Sequence, residues 1–567
     1  MDKYQVANML DEIGLLLEMK GEHPFKCRAY GKAAQSIRNL QQDLGELVAS
    51  GRIKAIPGIG TTLASQLAEL VGTGHLAFHD ALRASIPPGL IEMAEVPGLG
   101  PKKCLTIWEK LGISTVGELE YACVENRLVG LPGFGKKTQE KIERGIQQLK
   151  QREGLFLYAT VVGEAGRLTR ALRETPTIRR AELVGDLRRS CEVVSRIALL
   201  AAANAAEVAR AFRELDGVED VAIDGAGAVT ARSHLGIPIY VRVVNAITPH
   251  LILAETAHAD HLALLAARAA QRGVPWNLSG PEFAPMAEHE ADLYAALGLP
   301  YLEPELCEGL DELAMADEGR LKPLVDPGTL QGLFHLHTTD SDGAATLEEM
   351  VDAARARGYR YVGISDHSQS AFYANGLKED RIRAQHAAID ALRERVAGIR
   401  ILKGIESDIL PDGSLDYPDE VLARFDFVIG SVHGRFNLPE PEQTERVVRA
   451  LGHPCLTILG HPTGRLLLSR KGYSLDMPRV LAAAREHGKV IEINANPHRL
   501  ELDWRHVREA RRLGIQMTIN PDAHSVRGLE DIVYGVNVAR KGGVSADDLL
   551  NALPADRLDA ALHATRR

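Results

Sequence analysis

Over the first fifty positions, apolar residues recur at helical spacing, at Val6, Met9, Leu10, Ile13, Leu16 and Leu17, which predicts amphipathic helices. The pattern then breaks three times in the same way, as AIPGIGTTLASQL from Ala55, EVPGLGPKKCLTI from Glu95 and GLPGFGKKTQEKI from Gly130. Each segment sets Pro-Gly-apolar-Gly ahead of a helical run. Beyond residue 150 the periodicity changes. Residues 151–320 mix Ala-rich helical stretches with short strands such as AELVGDL and IPIYVRVV, and DPGTLQG (326–332) reads as a linker. From residue 333 on, short apolar strands alternate with helices: GLFHLH, YRYVGIS, IRILKGIE, FDFVIGSV, LTILG, KVIEINAN and IQMTINPDA. That alternation predicts a parallel β/α barrel.

The three glycine-rich breaks have a physical reading. The first glycine of each pair (Gly58, Gly98, Gly133) permits the positive φ of a tight turn. The second (Gly60, Gly100, Gly135) opens a helix, whose free N–H groups point outward and suit a phosphate. One copy would be an ordinary helix–helix turn. Three copies, two of them followed by the lysine pairs Lys102–Lys103 and Lys136–Lys137, match the helix-hairpin-helix pattern, a sequence-independent grip on a DNA backbone.

Charge refines this picture. The 567 residues carry a formal net charge of −10, which by itself disfavours a nucleic-acid partner. Its distribution is uneven. Residues 1–150 hold 18 Lys+Arg against 17 Asp+Glu, whereas residues 151–320 hold 16 against 25 and contain no lysine. The middle third is therefore the poorest DNA anchor, although a local basic face can coexist with a negative domain. The six cysteines (Cys27, Cys104, Cys123, Cys191, Cys307, Cys455) form no CxxC pair and read as free thiols of a reducing cytoplasm. No apolar run approaches the roughly 20 residues of a membrane span, and the first residues lack the layout of a signal peptide. The expected location is cytoplasmic.

The richest chemistry lies at the ends of the late strands. FHLHTTDSDG supplies His335, His337 and Asp342; GISDHS supplies Asp366 and His367; KGIESDI supplies Glu406; IGSVHG supplies His433. ILGHPTGR adds His461 and Arg465, and INPDAHS adds Asp522 and His524. HxH and DxH spacings put two side chains on one side of an extended chain. The C-terminal rim of such barrels is the active-site face. Scattered capping histidines would not recur at the same point of nearly every strand. Imidazole and carboxylate without thiolate suit manganese, zinc or iron, and clustered cations of this kind activate water and neutralise charge in phosphoryl displacement.

These residues resemble the PHP (polymerase and histidinol phosphatase) domain. With the hairpins and middle segment before it, the whole chain resembles the bacterial family X DNA polymerases. The resemblance implies a helical domain over residues 1–85, a fingers-like domain over 86–150, and a palm and thumb over 151–320. A linker over 321–332 and a PHP barrel over 333–567 complete the multidomain α+β and α/β architecture. It also implies nine ligands for up to three metal ions, with Mn2+ first and Zn2+ or iron as alternatives. His335, His337, Glu406 and Asp522 would surround one ion. Glu406 would bridge to a second with His433 and His461. Asp342, His367 and His524 would hold the third. Arg465 would sit near the scissile phosphate, and Glu406 and Asp522 would serve catalysis as ligands. Leu333, acidic in many relatives, departs from the pattern at a position that is not a ligand.

The family's palm pattern is Gly-Ser-x-Arg-Arg, six further residues, then Asp-x-Asp. The chain reads VGDLRRSCEVVSRIALL over 184–200. Gly185, Arg188 and Arg189 match, Asp186 replaces the serine, and Arg196 and Ala198 occupy the two aspartate positions. The third aspartate position, in IYVRVV, is Tyr240, followed by the retained Arg242. Two-metal nucleotidyl transfer needs carboxylates to hold its cations, so polymerase activity and dNTP binding are expected to be lost. Glu192 is near in sequence, and Asp216 or Asp220 could supply charge in a different register. Lyase activity at a DNA 5′ end is likewise not expected, because Thr62 and Gln66 stand where relatives place lysines and Schiff-base chemistry needs an amine. Lys26, Arg28, Tyr30 and Lys32 could bind a 5′-phosphate or form a solvated helix face.

The expectation is a DNA-repair protein, of the base-excision type, that acts on DNA 3′ ends, gaps or nicks through a metal-dependent 3′-5′ exonuclease. 3′-phosphatase and abasic-site endonuclease activities are related outcomes. The rival readings are a gap-filling polymerase with a PHP proofreader, a small-molecule phosphatase, and a non-catalytic DNA-end scaffold.

Overall fold

The computed structural model describes residues 3–38, 40, 44–56, 58–150, 154–278, 287–468 and 470–566. They fall into two compact units, Met1–Leu149 and Lys150–Arg567. Among the described residues, no helix is long and apolar enough to cross a membrane. All six cysteines are free.

The first unit is helical. Residues 1–85 and 86–150, read from sequence as two domains, share one hydrophobic core running from Val6 to Ile146. Its three hairpin turns have the same geometry. Gly58, Gly98 and Gly133 have φ of 90°, 93° and 84°. In each turn the following apolar residue (Ile59, Leu99 or Phe134) is buried and donates its N–H three residues back, at 3.0–3.1 Å. Gly60 and Gly100 then cap the helices Thr61–Thr73 and Pro101–Leu111. Pro57, which completes the first motif, lies outside the described residues. Gly145 lets the helix Lys136–Lys150 press on the second turn, since a Cβ there would lie 2.7 Å from the Pro97 carbonyl oxygen.

The second unit begins with a mixed sheet of β1 (Arg180–Val184), β2 (Ile197–Ala202), β3 (Val218–Ile223), β4 (Val229–Ser233) and β5 (Pro238–Val244). Its order is β1-β2-β5-β4-β3, with β2 and β5 parallel and the other pairs antiparallel. A small helical core around Leu265, Leu293 and Tyr294 follows.

The barrel has seven parallel strands in sequence order. They are β6 (Gly332–Leu333), β7 (Tyr361–Ile364), β8 (Arg400–Asp408), β9 (Phe427–Ser431), β10 (Ile458–Leu459), β11 (Val490–Asn494) and β12 (Met517–Asn520). All seven stretches expected from sequence form strands. Leu336 and Ala523 bridge the first and last strands beyond their ends. Lower down, the Asn551 amide donates to the Gly332 and Ile519 carbonyls at 3.1 and 2.6 Å and accepts from the Ile519 N–H. One asparagine thus satisfies ladder groups on both edges, as buried backbone requires. Gly363 and Gly404 leave room for the Phe427 ring, which a Cβ at either would meet at 2.5 or 2.1 Å. The segment read as a linker, 321–332, is docked on the barrel rather than free: Val325 is buried and hydrogen-bonds Val544 at 3.0 Å.

Candidate metal centre

The strand ends place the site. His335, His433, His461 and Asp522 each stand two residues past the last residue of their strand. All four side chains turn into one cluster at this end of the barrel. Seven of the nine expected ligands are buried: His335, His337, His367, Glu406, His461, Asp522 and His524. The side chains of Asp342 and His433 are 8% and 10% exposed. His461 and Asp522 have φ of 23° and 51°, unusual for residues with a Cβ and typical of strain held at functional sites.

All nine residues converge. Asp522 Oδ1 lies 3.4 Å from His335 Nε2 and 3.2 Å from His337 Nε2. Glu406 sits between groups. Its Oε1 is 3.3 Å from His335 Nε2, 3.3 Å from His433 Nε2 and 2.8 Å from His461 Nε2, while its Oε2 is 2.8 Å from His367 Nδ1. Asp342 lies 3.5 Å from both His367 and His524. Three sets have ligand spacing: His335–His337–Asp522, His367–Glu406–His433, and His337–Asp342–His367–His524. The partition differs from expectation: His337 and His367 each belong to two sets, Glu406 belongs to only one, and His461 falls in none, although its Nε2 lies 2.8 Å from Glu406.

Imidazole and carboxylate atoms packed this tightly are a donor set suited to cations. His335 Nε2, both ring nitrogens of His337, Asp342 Oδ2 and Glu406 Oε2 are buried and, although imidazoles and carboxylates crowd to within 2.8 Å of one another, none of these atoms makes a hydrogen bond of good geometry among the described residues. Buried polar atoms without partners are costly, so the donor set fits metal ions. Burial works against charge on His335, yet Asp522, Glu492 and Glu406 raise its pKa well above the usual value. Burial likewise opposes the charged form of Glu406, and His433, His335 and His367 still hold it far below the carboxylate range.

A second layer of carboxylates, which the sequence reading missed, orients these ligands. Glu492 accepts from His335 Nδ1 at 2.7 Å and from the His461 N–H at 2.7 Å. Asp408 pairs with His433 Nδ1 at 2.6 Å. Fixing one ring nitrogen turns the other to the centre. The available signal was the acidic residue within the strand motifs ESD and EIN. Asp366, noted at a strand end, is a brace: it accepts from Thr338 N, Thr338 Oγ1 and Gln385 Nε2, each at 2.7 Å.

Arg465 belongs to none of the three sets. Its Nε donates to Arg499 O at 2.9 Å, one terminal nitrogen donates to Asp503 at 2.7 Å, and the other donates to Leu500 O and, at 3.3 Å, to Glu192.

The residues read from sequence as palm positions lie on neighbouring strands. Ala198 on β2 is the parallel partner of Tyr240 on β5 and the antiparallel partner of Val184 on β1. Gly185 has φ 71°, and a Cβ there would lie 3.3 Å from the Ala198 methyl. Three arginines near this spot pair with carboxylates, Arg188 with Glu290, Arg189 with Asp186 and Glu308, and Arg242 with Glu255, while Arg196 lies over the Tyr240 ring. In the first unit, Lys102, Lys136 and Lys137 are exposed and Lys103 is half-buried. Tyr30 is held by Gln66 at 2.9 Å.

Sequence comparison assigns the parts. A helix-hairpin-helix domain matches residues 1–76, a SAM-like helix-hairpin-helix tandem matches residues 90–147, and a PHP domain matches residues 334–496. The molecule is thus a helix-hairpin-helix protein that carries a PHP barrel. The DNA polymerase/3′-5′ exonuclease PolX of Bacillus subtilis (strain 168) is 34% identical, over 99% of this chain and 99% of its own. The chain belongs to the bacterial PolX family. Partial matches include probable phosphatases of Thermoanaerobacter sp. (strain X514), 28% identical over 38% of this chain and 88% of theirs, and of Acetivibrio thermocellus, 31% identical over 34% and 78%.

Proposed function

We propose that this chain processes DNA 3′ ends as a metal-dependent 3′-5′ exonuclease whose chemistry resides in the PHP barrel, and that its palm no longer polymerises. The observation that carries the proposal is the contrast between the two sites. The barrel gathers eight imidazole and carboxylate side chains at ligand spacing, with His461 2.8 Å from Glu406, and several of their buried atoms make no hydrogen bond of good geometry among the described residues. The palm offers Arg196, Ala198 and Tyr240 at its three carboxylate positions.

His335, His337, Asp342, His367, Glu406, His433, His461, Asp522 and His524 would hold up to three ions, Mn2+ being favoured over Zn2+ or iron. When bound, such ions activate water and offset charge at phosphorus. Glu492 and Asp408 keep the imidazoles of His335 and His433 turned inward. The hairpin turns, with Lys102, Lys103, Lys136 and Lys137, would grip the DNA backbone and bring the end to the barrel. In the palm, the retained arginines face Glu290, Asp186, Glu308 and Glu255, which leaves little cationic character for a triphosphate.

The test is a 5′-labelled primer on a longer template with Mn2+, with and without all four dNTPs, beside an Asp522→Ala/His524→Ala variant. Shortening that ignores dNTPs and is lost in the variant is the expected result. Extension that survives in the variant would overturn the palm assignment and favour the gap-filling polymerase.

A further inference from the structure

The loop that should face a nucleotide faces the barrel instead. Glu192, three residues after Arg189, reaches Arg465 across the boundary between the mixed sheet and the barrel, and both side chains are mostly buried, 14% and 16% exposed. A second bridge lies beside it. Lys541, 1% exposed, donates to the Arg189 carbonyl at 3.0 Å and pairs with Glu308, which also pairs with Arg189 at 3.1 Å. The Lys541 ammonium also lies 4.9 Å from the Trp504 ring centroid.

Arg465 passes this contact toward the metal centre. It is four residues past His461, in the loop after β10. Its other donors are fastened to Arg499 O, Leu500 O and Asp503 in the loop after β11. In the same loop the Arg499 side chain, 4% exposed, comes within 3.7 Å of Asp522 Oδ2. Glu501 ties the two loops again by accepting from Thr463 N at 2.7 Å. Four of the five Arg465 N–H donors are thereby committed to protein acceptors, which suits a brace better than a phosphate contact.

We propose that Glu192 is a positioning residue for the barrel's metal centre, acting through Arg465 on the loops that carry His461 and Arg499. The former palm loop is then a strut for the nuclease. The proposal rests on the phosphoesterase reading above. Without Glu192, a largely buried guanidinium loses one of its two carboxylates, and the two loops lose a fixed point from outside the barrel. Small displacements of outer partners weaken metal sites.

The experiment uses the full chain with Glu192→Ala, Glu192→Gln, Arg465→Lys and the double variant Glu192→Ala/Arg465→Lys. Mn2+ binding is read by equilibrium titration without DNA, and kcat and KM on a labelled 3′ end are read separately. Glu192→Ala should weaken Mn2+ binding and lower kcat by about tenfold, with KM unchanged. Glu192→Gln, which keeps an acceptor and the side-chain shape, should recover part of the loss, and it is the working variant if the alanine protein does not fold. The double variant should be no worse than Arg465→Lys alone, because both act on one contact. Wild-type Mn2+ affinity in Glu192→Ala, or losses that multiply in the double variant, would overturn the strut. If wild-type protein cuts no DNA while Mn2+ binding responds as described, the phosphoesterase reading fails and the strut stands.

Discussion

Arg196 holds its guanidinium 5.0 Å from the ring centroid of Tyr240. Under the palm reading proposed above, these are two of the positions that would carry metal-binding carboxylates in a working polymerase, and here they attract each other through a cation–π contact. Ala198, between them in sequence and paired with Tyr240 in register, adds a methyl rather than a carboxylate to this surface.

Restoring carboxylates there should create affinity for divalent cations. In an Asp522→Ala/His524→Ala background, Arg196→Asp/Ala198→Asp/Tyr240→Asp should lower stability by on the order of 1 kcal/mol per like-charged pair. Mg2+ should then raise its melting temperature, whereas the parent should show no Mg2+ response. A triple variant indifferent to Mg2+ means these are not the metal positions.

Glu492→Gln tests the outer layer of the barrel site. The buried carboxylate accepts from His335, His461, Asn494 and Asn520, and an amide puts an N–H against one of these donors. Metal affinity should fall by roughly 10- to 100-fold, read by titration with Mn2+ on folded protein. Unchanged affinity would show that His335 does not depend on this partner.

The hairpin lysines separate by salt dependence. Lys102 is exposed, so Lys102→Ala should reduce the slope of log Kd against log salt by about 1 for duplex DNA and leave melting unchanged. The Lys103 ammonium also lies 5.6 Å from the Phe134 ring centroid. Lys103→Ala should therefore lower the melting temperature as well. Identical slopes for wild type and both variants would remove the lysines from the DNA interface.

Asp531 gives a pH dependence away from the metal centre. Burial raises its pKa to about 7, against about 3.9 in an unfolded chain. The folded state keeps the proton over that window, so stability falls as pH rises from about 4 to 7 and levels off above it. Asp531→Asn imitates the protonated form. Its advantage over wild type should grow by about 2–3 kcal/mol between pH 5 and pH 8. A melting-temperature difference that stays constant across that range would contradict the raised pKa.

Much of this molecule is local, and local features can be read from sequence. Each hairpin turn is fixed by its own two glycines and one apolar residue, because positive φ and helix opening depend on adjacent positions. The apolar stretches of the barrel strands are visible in sequence, and His335, His433, His461 and Asp522 share one offset from their strand ends; Glu406, inside its strand, and the remaining candidates were named through the family resemblance. That Arg196, Ala198 and Tyr240 carry no carboxylate is equally visible in sequence; the proposal that these are the palm's metal positions rests on the family pattern.

Tertiary structure decided what depends on distant residues meeting. Glu492 serves His335 from 157 positions away, and Asn551 closes the barrel between Gly332 and Ile519. Nothing in their own neighbourhoods announces these roles. The same holds for Arg465, whose motif suggested a phosphate but whose donors are taken by three acceptors near residue 500 and by Glu192, 273 residues earlier. Sequence determines which groups are available. Closure of the barrel and docking of the palm determine which of them must be satisfied by protein and which are left for a metal.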